Sequence, residues 1–284
     1  MIPAAFEYHR PSTLDEALKL LADLPDAKVL AGGHSLLPLM KLRLASPAHL
    51  IDLGRMPALR YIRREGDTVA LGAMTTHWMV ESSDLVGRTV PLLAEAASTV
   101  GDVQVRNVGT IGGSLAHADP AADYPAALLA LGASMVAQSP RGRRTIEATA
   151  FFTGLFATAL APDELLVEIR VPVQRGSGAY MKFPHPASGF AVVGVAVSAV
   201  VAGGRFGDVR VGLTGVGSVP YRAGGVESAL AGQPASPEAI AAAAEHAPDG
   251  VDVNDDLFAP ADYRAHLARV YTKRALLLAV ERAG

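Results

Sequence analysis

The chain of 284 residues contains no cysteine. That absence excludes disulfides, a thiol nucleophile and any cysteine-ligated iron–sulfur cluster on this polypeptide. The 8 histidines are dispersed, and none recurs at a ligand spacing such as His-x-x-x-His, which argues against a metal site borne by this chain. No long apolar run is present, nor a basic leader followed by an apolar stretch, so the expectation is a cytoplasmic chain without a membrane segment of its own. An excess of basic charge is missing too. The 25 basic residues are scattered among 28 acidic ones, so neither a nucleic-acid footprint nor a polybasic membrane patch is expected. No spacing suggests a nucleophile with its base or an acid–base pair, so no catalytic residue is assigned. Redox chemistry here would therefore need an organic cofactor.

What the sequence does have is hydrophobic residues, 50% of the total, and glycine placed in two particular stretches. The run Arg106 to Tyr124, RNVGTIGGSLAHADPAADY, makes poor core and good ligand cradle. Gly109, Gly112 and Gly113 lack a Cβ, so positive φ and close approach to a ligand are open to them, and the amides around Thr110 to Ser114 are expected to point at an anion. Residues 29–37, VLAGGHSLL, repeat the theme: apolar strand, Gly-Gly, small polar pair, apolar helix. Two glycine cradles could thus grip one diphosphate from opposite sides, the first at a helix N-terminus that presents unpaired amides. The glycine spacing is not that of a Rossmann dinucleotide fold.

Thr13-Leu-Asp-Glu16 has the form of a capping box, followed by Leu14, Ala17, Leu18 and Leu21 at helical spacing, which predicts a helix over roughly 13–24. Strands are expected at Lys28 to Ala31 and His49 to Leu53, around a helix from Leu36 to Leu44. Residues 56–172 read as a second subdomain. It has short strands at Thr68 to Gly72 and Ser134 to Gln138, helices at Val90 to Val100 and Pro125 to Gly132, and a closing strand at Asp163 to Pro172. Residues 173–284 change texture. Strands at Ala179 to Phe183, Gly189 to Val201 and Val209 to Gly215 precede a helix capped by Ser236 with Pro237 in its first position, and a terminal helix over Ala261 to Arg282. The expected division is 1–55, 56–172 and 173–284.

The pair Ala31-Gly-Gly-His-Ser35 and Thr110-Ile-Gly-Gly-Ser114, followed by Asp119-Pro120 and Asp123, resembles the FAD-binding medium subunit of the molybdenum hydroxylases, the family of aerobic carbon monoxide dehydrogenase and xanthine dehydrogenase. The resemblance runs from Phe6 to the last helix. It implies an α+β chain: a two-subdomain FAD-binding region of the vanillyl-alcohol oxidase-like (PCMH) type, then a C-terminal domain of a three-stranded antiparallel sheet packed with helices.

Matched residue by residue, the resemblance implies FAD contacts from Val29, Leu30, Ala31, Gly32, Gly33, His34, Ser35 and Leu36, and from Thr110, Ile111, Gly112, Gly113 and Ser114. His34 has the alternative of a simple helix cap. Asp123 matches the acceptor of the adenosine ribose, against the alternative of an N-cap for the helix at Pro125; Asp119 reads as a turn former. Lys182 matches a lysine near the flavin ring, against the alternative of a solvated strand lysine, and Leu166 a backbone contact to that ring. Val100 stands where mammalian xanthine enzymes carry an aromatic residue, and Phe190 is either an aromatic cover or a core residue.

The implied role is electron transfer. Hydroxylation would take place at a molybdenum cofactor on a large subunit, two iron–sulfur clusters on a small subunit would relay electrons to this chain, and an external acceptor would receive them from it. The implied assembly is a dimer of heterotrimers. The rival readings are a free-standing FAD oxidoreductase with its own substrate base, of which the sequence shows no sign, and a nucleotide-binding regulator without redox chemistry.

Overall fold

The computed structural model describes residues 1–284. The chain builds three main sheets in sequence order. The first contains β1 (Glu7–His9), β2 (Ala27–Leu30) and β3 (His49–Asp52), all parallel in the order β1-β3-β2. Helix α1 (Leu14–Asp23) crosses between β1 and β2, and α2 (Leu36–Lys41) between β2 and β3. The capping box forms as its residue types dictate: Thr13 Oγ1 accepts from the Glu16 amide at 3.2 Å, and the Glu16 carboxylate reaches back to the Ser12 amide at 2.8 Å. Ala17 and Leu18 then face a small core with Ile51, Leu53 and Met74.

The second sheet is antiparallel, in the order β4-β5-β10-β6-β7, from β4 (Ile62–Glu65), β5 (Thr68–Gly72), β6 (Ser134–Ser139), β7 (Gly142–Glu147) and β10 (Leu165–Pro172). Between β5 and β6 runs a helical stretch: α3 (His77–Ser82), α4 (Asp84–Thr89), α5 (Pro91–Ser98), α6 (Val103–Val108), α7 (Ile111–His117) and α8 (Tyr124–Leu131). A short helix α9 (Ala148–Phe151) and a two-stranded hairpin, β8 (Phe152–Gly154) with β9 (Ala157–Thr158), lead into β10.

Every residue of α8 is buried. A helix that is apolar on all sides has to sit between layers, and α8 does so, packing on the third sheet through β12 (Ala191–Ala202) and β13 (Arg205–Thr214). The approach is close, because a Cβ on Gly212 would come within 2.2 Å of the Ala126 carbonyl oxygen. The third sheet is antiparallel, β11 (Ser177–Pro184) pairing with β12 and β12 with β13; the two-residue β14 (Tyr221–Arg222) extends its edge beyond the three strands expected. Helices α10 (Gly224–Leu230), α11 (Pro237–Ala244) and α12 (Ala261–Glu281) complete the chain, with α12 lying on β11 and β12 and Ser236 capping α11 as expected.

Several expected elements are shorter, among them α5, which spans Pro91–Ser98. Helix α2 stops at Lys41, short of Leu44; β12 starts at Ala191 because Gly189, at φ +72°, belongs to the turn; and β10 starts at Leu165, since 163–164 are not in the ladder. The glycine run at 109–113, expected as an open ligand cradle, is the entry to α7, with Thr110 as its N-cap.

Candidate functional site

Strand β2 ends at Leu30, and the first glycine strip leaves its C-terminal end, the place where a parallel sheet presents unpaired backbone to a ligand. Gly33 takes φ +76°, the left-handed region that glycine tolerates best. The amides of Gly32, Gly33, His34 and Ser35 donate to no acceptor within the protein. Ser35 stands at the N-cap of α2, yet its hydroxyl makes no cap bond, so it too is available.

The second strip is built differently. Thr110 caps α7 by accepting from the Gly113 amide at 3.1 Å, Ile111 donates to the Thr75 carbonyl at 3.0 Å, Gly112 to that of Ala73 at 2.9 Å, and Ser114 to that of Thr110 at 3.0 Å. The free amides expected here are therefore engaged, and none of Gly109, Gly112 and Gly113 has positive φ. Lack of a Cβ matters at these positions for packing: on Gly112 it would lie 2.5 Å from the Ala73 Cβ.

The two strips meet. A Cβ on Gly32 would stand 2.5 Å from the Val108 carbonyl oxygen and 2.6 Å from the Gly109 Cα, and one on Gly113 would stand 3.2 Å from the Ala31 Cβ. His77 backs the second strip, its Nε2 so close behind Gly109 that a Cβ there would sit 2.6 Å away. Its Nδ1 pairs with the Tyr124 hydroxyl at 3.1 Å, and burial, helped by the positive charge of His34 and Arg106, pushes its pKa down to about 4. A row of unpaired amides facing a glycine wall fits a diphosphate, which accepts several hydrogen bonds and needs close backbone approach.

Asp123 and Lys182 are brought together. The Lys182 Nζ lies 2.9 Å from Asp123 Oδ2 and 3.0 Å from the Thr99 carbonyl, while the Tyr180 hydroxyl donates to Asp123 Oδ1 at 2.5 Å. Asp123 is 4% exposed and the lysine side chain 7%. Burial pushes the Asp123 carboxyl up, opposed by the Lys182 charge and the hydrogen bonds it receives. Two alternatives open in the sequence are thereby closed: Asp123 makes no side-chain cap bond to α8, and Lys182 is not a solvated strand lysine. Asp119 is the turn former expected, accepting from the Ala121 amide at 2.9 Å.

Leu166 is buried in the core that contains Ile111 of the second strip, and Val100 packs against that core. Arg106 holds the Val100 carbonyl at 3.2 Å and salt-bridges Glu81 at 2.7 Å. Phe190 is exposed, which rules out the core reading; it lines a cavity with Pro120, Ala121 and His185, next to the segment leading to Asp123. Sequence reasoning missed Tyr180 and His77. The alternation of β11 puts Tyr180 and Lys182 on one face, a signal that points to Tyr180 once Lys182 is suspected. No helix of the structure is long and apolar enough to cross a membrane.

Comparison with known proteins agrees with this geometry. A family model described as the FAD binding domain in molybdopterin dehydrogenase matches residues 4–174, and one described as the CO dehydrogenase flavoprotein C-terminal domain matches residues 178–279. The carbon monoxide dehydrogenase medium chain of Hydrogenophaga pseudoflava is 47% identical over 279 residues, 97% of each chain. The nicotine 6-hydroxylase medium subunit of Paenarthrobacter nicotinovorans is 37% identical over 273 residues, 96% of each. A solved structure of the H. pseudoflava carbon monoxide dehydrogenase, lacking the Mo-pyranopterin moiety of its molybdenum cofactor, superposes with a TM-score of 0.97 at 47% identity, covering 100% of both chains. Such medium chains belong to multi-subunit complexes and imply a large and a small partner, which carry the molybdenum cofactor and the iron–sulfur clusters. The chain thus belongs to the FAD-binding medium subunits of the molybdenum hydroxylases, an oxidoreductase component of the carbon monoxide and xanthine dehydrogenase type.

Proposed function

We propose that FAD is held with its diphosphate between the two glycine strips, and that the chain serves as the electron-transfer subunit of its complex. The observation that carries this reading is the contact of the strips at Gly32 and Gly109 beside four unpaired amides. Val29 to Leu36 form the donating side; Thr110 to Ser114 form the wall. Asp123 keeps lone pairs for the adenosine ribose on oxygens already oriented by Tyr180 and Lys182. Val100, Leu166 and Phe190 are assigned to the ring end, with Lys182 fixing the carboxylate rather than standing as a free cation. Bound FAD would supply redox chemistry that no side chain of this chain provides.

In this reading the chain takes electrons from iron–sulfur clusters of the small partner and delivers them to an external acceptor, within a cytoplasmic dimer of heterotrimers. Medium chains named for carbon monoxide and for nicotine match it over nearly their whole length, which supports placing the choice of substrate on the large partner. The separate three-, five- and four-stranded sheets support domain divisions at 1–55, 56–172 and 173–284.

The test is the flavin released on denaturing the purified full chain. Wild type should release one FAD per chain and Gly113→Asp almost none, because a carboxylate between Thr110 and Ala31 would face the diphosphate. Equal release from a variant with an unchanged circular dichroism spectrum would remove the two-strip site.

A further inference from the structure

The end of the first sheet opposite the glycine strip carries a second cluster of polar side chains. Strands β1 and β3 run parallel with Glu7 opposite His49 and His9 opposite Ile51. Because side chains alternate along a strand, Glu7, His9, His49 and Ile51 share one face. Ile51 is fully buried in the small core on that face, and the two imidazoles lie at its rim, 23% and 18% exposed, with Glu7 beyond them at 74%.

The donor atoms converge. His9 Nε2 and His49 Nδ1 are 3.1 Å apart, and one Glu7 oxygen, Oε2, lies 3.4 Å from His49 Nδ1 and 3.9 Å from His9 Nε2. Bonded at about 2.0–2.1 Å to one tetrahedral ion, neighbouring donors stand roughly 3.3 Å apart. The three distances bracket that value. All three side chains can bind as ligands, the imidazoles when neutral and the carboxylate when ionised, and each offers one donor atom within 4.8 Å of the other two.

We propose that Glu7, His9 and His49 form a site for one divalent first-row transition-metal ion of the zinc class, with water in the fourth position. Two imidazoles and a carboxylate suit zinc better than magnesium or calcium, which prefer all-oxygen shells. The ion would clamp the three-residue β1 onto β3, and so fasten the start of the chain to the sheet whose other end presents the first glycine strip. Both histidines come from strands separated by forty positions in sequence, which is why ligand spacing along the chain gives no sign of them.

The test uses the full chain stripped with a chelator and titrated with zinc chloride in a calorimeter, with cobalt(II) absorption as a report on geometry. Wild type should bind one zinc per chain with a Kd of micromolar or tighter, and cobalt should give the intense visible bands of a tetrahedral site. His9→Ala and His49→Ala should each weaken zinc binding at least tenfold, and Glu7→Gln by less. All three should leave the released FAD unchanged, since the cluster is at the far end of the sheet. His9→Ala lies on a short edge strand, so it remains informative if His49→Ala fails to fold. Absence of zinc binding in wild type, or an affinity unchanged in the His9→Ala chain, would overturn the site.

Discussion

The two glycine strips look alike in sequence and differ in almost every physical respect. In the first, amides are unpaired, Gly33 has positive φ, and the hydroxyl of Ser35 bonds to nothing. In the second, the amides of 111–114 are engaged, and its glycines exist so that Ala73 and His77 can pack against them. One is a surface kept open for hydrogen bonds; the other is a rigid wall. The lesson is that a Gly-Gly pair reports close approach, and only its surroundings say whether a ligand or the protein itself does the approaching.

Substitutions behind the wall should therefore act on folding, and those in the open strip on the cofactor. The largest effect is expected at Lys182→Met, which strands the buried Asp123 carboxylate and should cost about 3–5 kcal/mol. Adding Asp123→Asn should restore much of that loss in urea titrations, as a double-mutant cycle would show. A single-variant loss below about 1 kcal/mol would mean that the pair is not a dry unit.

Next comes acid sensitivity from His77. In the fold its pKa is held down to about 4, whereas in the unfolded chain it titrates near 6.5, so the unfolded state binds more protons between those values. Stability from this group is complete above pH 6.5, falls as pH drops towards 4, and reaches a loss on the order of 3 kcal/mol. His77→Asn should flatten the unfolding midpoint against pH across that window; an identical profile would place the acid sensitivity elsewhere.

The smallest effect separates the two strips most directly. Thr110→Ala removes a cap bond and should destabilise the chain by about 1 kcal/mol, while Ser35→Ala, with no cap bond to lose, should stay within about 0.5 kcal/mol. In flavin retention the ranking should reverse. Equal stability losses from both would erase the distinction between wall and open strip.

Much of the framework was legible because it is local. The capping box at Thr13, the Ser236–Pro237 helix start, the apolar strand run of β10 and the turn at Asp119 each depend on residues within a few positions of one another. Helix α7 was not legible, since glycines in a first helical turn look like a loop until Thr75 and Ala73 supply acceptors for the amides of Ile111 and Gly112. Phe190 could be read two ways until the start of β12 put it outside the core.

By itself the sequence determined the absence of cysteine chemistry, the positions of both glycine strips, the order of most strands and helices, and a family resemblance carried by short motifs. These are properties of composition and near neighbours. Only the tertiary structure decided that the strips touch, that Asp123 is paired with Lys182 and Tyr180, that His77 backs the wall, and that Glu7, His9 and His49 share a face. Each of those depends on side chains from separate elements converging, and burial then sets what the converged groups can do: it raises the cost of an unpaired charge at Asp123 and keeps His77 neutral.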